Sequence, residues 1–487
     1  MKILMLSSEV SPYAKTGGMA DAVADLSQVL QNQGHDVRLI LPFYSCVEEL
    51  VDHEEISLEK CVSELSVPMR VSENHGDCYV CHDGTASFTY FVDHPIYFKR
   101  SYLYGPPEGA YEDSSLRFGF FAQSIFPILK ELDWCPDIIH CHDWQSALVP
   151  LLLKKSFSED PFFSSVKTLF TIHNLAYQGI APKQYFDPLG LPEECWDSKV
   201  IEHFGQMNFL KAGLHFADAL TTVSSRYSLE VQTPMFGHGL EGVLKARSKD
   251  LWGIVNGINT DIWSPSKDPL IAERFSTNNL VDKRGNKKEL EDLCNFSEQG
   301  KMLVGMVSRL VTHKGFDVLT EAMSGLMKMD INIVIVGQGE KKWQHALSLM
   351  AQRYPNLTVI LEYTELWAHQ VYAGADLFLM PSSFEPCGLS QMKAMRYGTV
   401  PLVHETGGLA DTVMPWSRED FSGCGFVMEN YCAEDLLSQM TLALSLYQDK
   451  DSWVTLMKNG MTKDFSWKSS SQKYLSLYAH LLKKSVA

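Results

Sequence analysis

The chain has 487 residues, 45% hydrophobic and 21% charged, with a formal net charge of -17. That length exceeds one ordinary hydrophobic core, so two domains are expected. The acidic balance excludes generic nucleic-acid binding, and any anionic substrate must be met by a local cluster of Lys and Arg.

Lys2–Leu6 reads as a buried strand, and Ala20–Leu30 carries apolar residues at helical spacing (Ala20, Val23, Ala24, Leu26, Val29, Leu30). Between them lies Lys15-Thr16-Gly17-Gly18. Paired glycines let backbone N–H groups approach an anion at a helix N-terminus, and the lysine adds full charge, so the loop suits a phosphorylated ligand. Asp36–Leu41 is a second strand ending at Pro42. Residues 60–98 alternate in an antiparallel manner (Val67, Met69, Val71; Ser87–Val92) and read as an insertion. Asp137–His142, Thr168–Asn174 and Ala219–Ser224 are short apolar strands whose last residues turn polar. That is the pattern of an open parallel sheet with ligands at its carboxyl ends.

A second such unit starts near residue 253. Its strands are Met302–Val307, Ile331–Val336, Leu357–Leu361, Leu377–Met380 and Thr399–Val403, with helices at Phe316–Met329 and Lys341–Arg353. The expected fold is α/β: two Rossmann-like domains facing each other across a deep cleft. Gly337-Gln338-Gly339 lacks the third glycine of a dinucleotide fingerprint and reads as a tight strand-to-helix turn.

Three strings have the letters of a metal or haem site. Cys78-Tyr79-Val80-Cys81-His82 matches a haem-attachment string but sits among strand-like residues. In His140-Cys141-His142-Asp143, alternation sends neighbouring side chains to opposite faces, so convergence on one ion is not expected. Asp449-Lys450-Asp451 reads as a solvated turn between helical segments. No metal and no cofactor is expected. The apolar start is a few residues long and is followed by Glu9, and the longest apolar stretch, Leu148–Leu153, ends in Lys154-Lys155. The 11 cysteines suit reduced thiols, and a cytoplasmic protein without a membrane partner is expected.

Arg309 and Lys314 flank a loop after a strand of the second unit. A fork and a point charge placed together suit a diphosphate. Phe384-Glu385-Pro386-Cys387-Gly388-Leu389 follows the next strand end and places a carboxylate where sugar hydroxyls would bond; Thr406-Gly407-Gly408 offers a second glycine turn. Together these describe transfer of a group from a phosphate leaving group.

With those residues in view, the chain resembles the bacterial glycogen synthases, the family that includes the plant starch synthases. The resemblance rests on Lys15–Asp21, His142-Asp143-Trp144, His173–Gly179, Val255–Ile258, Ser308-Arg309-Leu310 with Lys314-Gly315, and Phe384–Leu389, in the family's order along essentially the whole chain. It implies a GT-B glycosyltransferase that moves glucose from ADP-glucose to the non-reducing 4-hydroxyl of an α-1,4-glucan such as glycogen, with retention. It also implies an acceptor-side domain at 1–252, a nucleotide-sugar domain at 253–463, and a last helix, 464–487, packed on the first domain.

By the same resemblance, Lys15 and Gly18 lie at the diphosphate and glucose, and Asp21 and Asn256 line the site. Asp143, His173 and Asn174 face the glucose, and Arg309 and Lys314 hold the diphosphate. Tyr363 lies along the base, Glu385 and Cys387 contact the sugar, and the N–H groups of Gly388, Leu389 and Ser390 meet phosphate and ribose. Lys15, His173, Arg309, Lys314 and Glu385 are the implied catalytic set. Three positions depart from the family pattern. Met19 and Ala20 replace Leu and Gly, Glu362 stands where relatives have Gly and would bear on the choice of nucleotide, and Lys393 stands where another transferase family has a second Glu. Two alternatives stay open at this level: UDP-glucose as donor, and a catalytically silent glucan-binding protein.

Overall fold

The computed structural model of the chain describes residues 1–82, 88–106 and 109–483. They form two compact units. The first comprises Met1–Val223, Ser228–Ile254 and the segment from Trp467; the second comprises Ser224–Tyr227 and Val255–Ser466.

Among the described residues the first unit is built on nine strands. These are β1 (Lys2–Leu6), β2 (Asp36–Pro42), β3 (Leu58–Ser66), β4 (His75–His82), β5 (Phe88–Asp93), β6 (Ile138–His142), β7 (Lys167–Ile172), β11 (Ala219–Thr222) and β12 (Leu251–Gly253). Three short strands, β8 (Ile180–Pro182), β9 (Glu202–His203) and β10 (Gln206–Asn208), make a separate antiparallel sheet. The large sheet runs β12-β11-β7-β6-β1-β2-β5-β4-β3. Pairing is parallel from β12 through β5, and β4 alone is reversed, antiparallel to both β5 and β3. Ile3, Leu4, Met5 and Leu6 are essentially without solvent exposure, which is why β1 has no polar alternation.

Within residues 60–98 the expected antiparallel pairing is present, β3 with β4 and β4 with β5, but these residues are not an insertion, because β5 pairs in parallel with β2 from Arg38↔Phe88 to Pro42↔Val92 and so continues the sheet. Val67, Met69 and Val71 lie beyond the end of β3; Val67 and Met69 are buried in the connection to β4. Residues 95–98 are a helical turn, and Ser87 lies outside the described residues.

The helix Gly18–Asn32 buries Ala20, Val23, Leu26 and Leu30, as its spacing demands. The helix Trp467–Lys483 packs within the first unit. Trp467 Nε1 donates to Asp25 (3.1 Å), Gln33 Nε2 donates to Ser471 (3.1 Å), and the buried Tyr478 hydroxyl meets His140 at 2.8 Å.

The second unit carries an all-parallel sheet of β13 (Met302–Val307), β14 (Ile331–Val336), β15 (Leu357–Ile360), β16 (Leu377–Met380), β17 (Val400–His404) and β18 (Phe426–Met428). Its order is β15-β14-β13-β16-β17-β18. The strand order reverses beside β1 in the first sheet and beside β13 in the second. Such switch points leave crevices at the carboxyl ends of the central strands. Gly337-Gln338-Gly339 joins β14 to the helix Lys341–Arg353. A Cβ on Gly339 would stand 2.3 Å from the Leu310 carbonyl oxygen, so the turn is packed against the Ser308–Leu310 loop.

Candidate active site

The carboxyl end of β1 leads into the glycine loop. Glu9, 4% exposed, folds back onto it: Thr16 N–H (2.5 Å), Gly17 N–H (3.1 Å) and Thr16 Oγ1–H (2.7 Å) all donate to its carboxylate. Tyr104 adds a fourth donor at 2.7 Å. This corrects the expectation of an open anion cradle, because two of its N–H groups are taken up by the protein's own carboxylate. Exposed Gly18 opens the helix, and Lys15 pairs with Asp21 across 2.8 Å. Both partners of that pair are partly exposed, so it is worth little in stability.

At the carboxyl end of β6, Asp143 has φ +55° and ψ -178°, a region that only glycine enters without strain. Its carboxylate accepts from the backbone N–H groups of His173 (2.7 Å) and Asn174 (3.3 Å), beyond the end of β7. Those donors favour the ionised form, but burial outweighs them and pushes the carboxyl up to about 7, with the nearby Glu9 charge adding to the rise. Asn174 Oδ1 in turn accepts from Ala176 N–H at 3.0 Å. Gly179 (φ +63°) is required because a Cβ there would meet the Trp144 ring at 2.2 Å. Asp143, Trp144 and the His173–Gly179 loop are thus one interlocked piece.

His140 and His142, two apart on β6, share a face with ring centroids 4.1 Å apart, and His142 Nδ1 lies 3.0 Å from His173 Nε2. Alternation separates neighbours on a strand but unites residues two apart. The string therefore does bring two imidazoles together, with a third from the β7 end. Burial holds His140 and His173 down at about 3, and burial with the neighbouring His140 and His173 holds His142 well below the usual imidazole range, so all three are neutral. Among the described residues no group of three or more His, Cys, Asp or Glu is arranged to hold a metal ion. Asp449 is the exposed link between the helices Ala433–Gln448 and Lys450–Met461 and caps the second, accepting from Ser452 N–H, while Lys450 and Asp451 lie in that helix rather than in a turn.

In the second unit, Arg309 is exposed just past β13, and Lys314 closes the turn Thr312–Lys314. Gly315 (φ +83°) follows; a Cβ there would stand 2.1 Å from the Pro381 carbonyl oxygen, so glycine is needed to bring this turn against the end of β16. The result is a close ion pair: Lys314 Nζ donates to Glu385 Oε2 at 2.5 Å, with Ser382 Oγ–H donating to the same oxygen at 3.3 Å. Both side chains are largely buried.

Glu385 is held from behind by the second glycine turn. Gly408 N–H donates to the Glu385 carbonyl (3.1 Å), and a Cβ on Gly407 (φ +43°) would lie 2.0 Å from that oxygen. Thr406-Gly407-Gly408 is therefore a clamp on the Glu385 backbone. Cys387 is buried, which pushes its thiol up to about 12, and a backbone hydrogen bond from Asn256 faces its sulfur. Asn256 Oδ1 is buried with no partner among the described residues. Gly388 (φ +71°) leads through Leu389 into the helix Ser390–Arg396, whose Gln391 Nε2 donates to the Gly388 carbonyl at 2.9 Å.

Tyr363 is about half exposed beyond β15. Its neighbour Glu362 accepts from Trp367 Nε1 at 2.8 Å, within the same segment. Lys393 places its ammonium 3.8 Å over the Trp263 ring, a cation–π contact. Glu9, Tyr104 and Ser382 join these clusters with no site role expected from the sequence, and His142, quoted there only within the His140–Asp143 string and the His142-Asp143-Trp144 motif, joins them too. Glu9 had a local signal: a carboxylate between a buried strand and a glycine loop.

Residues 2–246 match the family model described as starch synthase catalytic domain, and residues 291–458 match glycosyl transferases group 1. The chain is 42% identical to glycogen synthase 2 of Geobacter sulfurreducens, with 98% of each chain covered. It is 39% identical to a glycogen synthase of Desulforamulus reducens, with 99% of each covered. Among solved structures, the catalytic domain of starch synthase IV from Arabidopsis thaliana, bound to ADP and acarbose, superposes with a TM-score of 0.90 at 31% identity, covering 99% of both chains. No helix among the described residues is long and apolar enough to cross a membrane. Two sheets built for ligands at their carboxyl ends, and these similarities over nearly the full length, lead to one conclusion: the chain belongs to the glycogen and starch synthase family of GT-B glycosyltransferases and is a hexosyltransferase.

Proposed function

We propose that the protein transfers glucose from ADP-glucose to the non-reducing 4-hydroxyl of an α-1,4-glucan, with retention, in the cytoplasm. The observation that carries this reading is the Lys314–Glu385 pair at the switch point of the second sheet, with Arg309 beside it. A diphosphate arriving there meets a fork and a point charge, and Glu385, released from Lys314, is left to bond sugar hydroxyls. The Arabidopsis relative's ADP supports an adenine nucleotide, and its acarbose supports a glucan-like acceptor. Glu362, the departure that bore on donor choice, is tied to Trp367, which favours the ordinary donor of the family.

In this reading the second unit takes the nucleotide sugar and the first takes the glucan. The bond from the anomeric carbon to the diphosphate oxygen breaks as the acceptor oxygen bonds the same face. The acceptor proton passes to the leaving phosphate oxygen. Arg309 and Lys314 stabilise the growing negative charge, a preorganised contribution of roughly 3–4 kcal/mol per donor. Lys15, Gly18 and Asp21 bound the phosphate and glucose from the first unit, with Asp143 holding the His173–Asn174 turn in place. Tyr363, Asn256, Cys387, Gly388, Leu389 and Ser390 complete the nucleotide-sugar pocket.

Initial rates of glucose transfer into glycogen from ADP-glucose and UDP-glucose at equal concentration test the proposal. A strong ADP-glucose preference is expected. Faster transfer from UDP-glucose would overturn the donor assignment while keeping the fold and chemistry. Glycogen binding without transfer from either donor would overturn the catalytic reading.

A further inference from the structure

His142 is 2% exposed and makes one side-chain hydrogen bond, Nδ1 to His173 Nε2 at 3.0 Å; its Nε2 is buried with no partner among the described residues. His140, on the same face, has both nitrogens engaged, by Tyr478 and by Thr171 at 2.6 Å. Both members of the His142–His173 pair are neutral, so each carries one N–H and one lone pair. Two arrangements are possible. If His173 Nε2–H donates, His142 must carry its own proton on Nε2, leaving a buried N–H without an acceptor. If His142 Nδ1–H donates, the atom left over is a bare acceptor nitrogen. Orphaned buried N–H groups are the rarer case, so the second arrangement wins.

We propose that His142 is a positioning residue. Its Nδ1–H, given to His173 Nε2, holds the His173 ring as the neutral Nδ1–H tautomer. Resting on the glucosyl-transfer reading above, His173 then presents an N–H donor to a sugar oxygen and has no lone pair left for taking a proton. That assigns the acceptor proton to the leaving phosphate and excludes His173 as general base. The sequence set His142 aside as part of a rejected metal string, and the family resemblance gave a role to His173 alone.

The test is a long-range proton–nitrogen spectrum of the full chain labelled with 15N-histidine, with His173 assigned by its loss in His173→Gln. The expected pattern is a pyrrole-type shift at Nδ1 and a pyridine-type shift at Nε2. The reverse pattern in the unsubstituted protein overturns the proposal, and this readout does not depend on the protein being a glucosyltransferase. Two variants extend it. His142→Phe removes the donor; kcat is expected to fall about tenfold, as for the loss of one buried hydrogen bond, and the His173 pattern to become mixed. His142→Asn, whose side-chain amide stands where Nδ1–H was, is expected to keep the His173 pattern and to recover most of kcat. An unchanged His173 tautomer in His142→Phe, or equal losses in both variants, overturns the proposal. Should His142→Phe fail to fold, the unsubstituted protein's spectrum still decides.

Discussion

Replacing Asp143 by Asn separates the charge of this carboxylate from its geometry. Asn keeps an oxygen to accept from His173 and Asn174 N–H, and at φ +55°, ψ -178° it carries the same backbone strain as Asp, which cancels when the two are compared across pH. Burial raises the Asp143 carboxyl from the usual 3.8 to about 7. Between those values the folded chain binds a proton that the unfolded chain has released. Stability from this group is therefore full below pH 3.8, falls as pH rises towards 7, and is lost above it. The displacement corresponds to about 4 kcal/mol between the two limits. At about 2–4 °C per kcal/mol for a domain of some 200 residues, the melting temperature of the Asn variant should gain on the original protein by on the order of 10 °C between pH 4.5 and pH 8. Paired thermal melts across that range, followed by tryptophan fluorescence, measure the difference directly. A difference that stays flat with pH, or turns against the variant as pH rises, would show that the two backbone donors outweigh burial and refute the argument.

Three further outcomes follow from the second unit. Lys314→Ala should lower kcat by about a hundredfold or more, from loss of leaving-group stabilisation and from an unpaired Glu385, in a glycogen-incorporation assay; a near-normal rate would remove Lys314 from the mechanism. Gly407→Ala drives a Cβ into the Glu385 carbonyl, so it should destabilise the second unit by about 1–3 kcal/mol or more and lower transfer through a displaced Glu385, as read by urea melts and initial rates. Glu362→Gly should leave the ratio of ADP-glucose to UDP-glucose rates within about fivefold, since its carboxylate is held by Trp367 and one exposed hydrogen bond is worth about 1 kcal/mol or less.

The parallel strands were legible because burial on both faces writes them as plain apolar runs, as in Met302–Val307 and Ile331–Val336. The long helix Ser114–Glu131 left no such mark. It buries Phe118, Phe120, Phe121, Ile125 and Phe126 around its whole circumference, so no amphipathic stripe appears. The joining of β5 to β2 was hidden for another reason: alternation reports which face a residue takes, and nothing local reports which distant strand it joins. At the site, strand-end residues such as Asp143, His173 and Arg309 stood out by position. Glu9 did not, because two of its four donors are backbone N–H groups of a loop seven and eight residues on, which have no letter in the sequence, and another is Tyr104, 95 positions away. Thr406-Gly407-Gly408 was visible as a glycine turn, but its use as a clamp depends on contact with residue 385, about twenty positions earlier.

The helix Trp467–Lys483 gives the chain an unusual order of assembly. The first unit is begun by residues translated first, yet it takes Tyr478 beside His140 and Trp467 beside Asp25 from residues translated after the whole second unit. At cellular synthesis rates, the stretch from Val255 to Ser466 takes on the order of ten to forty seconds. During that time the nine-stranded sheet stands with the face that receives this helix uncovered. A released chain ending at Ser466 would carry every residue of the second unit and lack part of the first, the reverse of the usual amino-to-carboxyl order of domain completion.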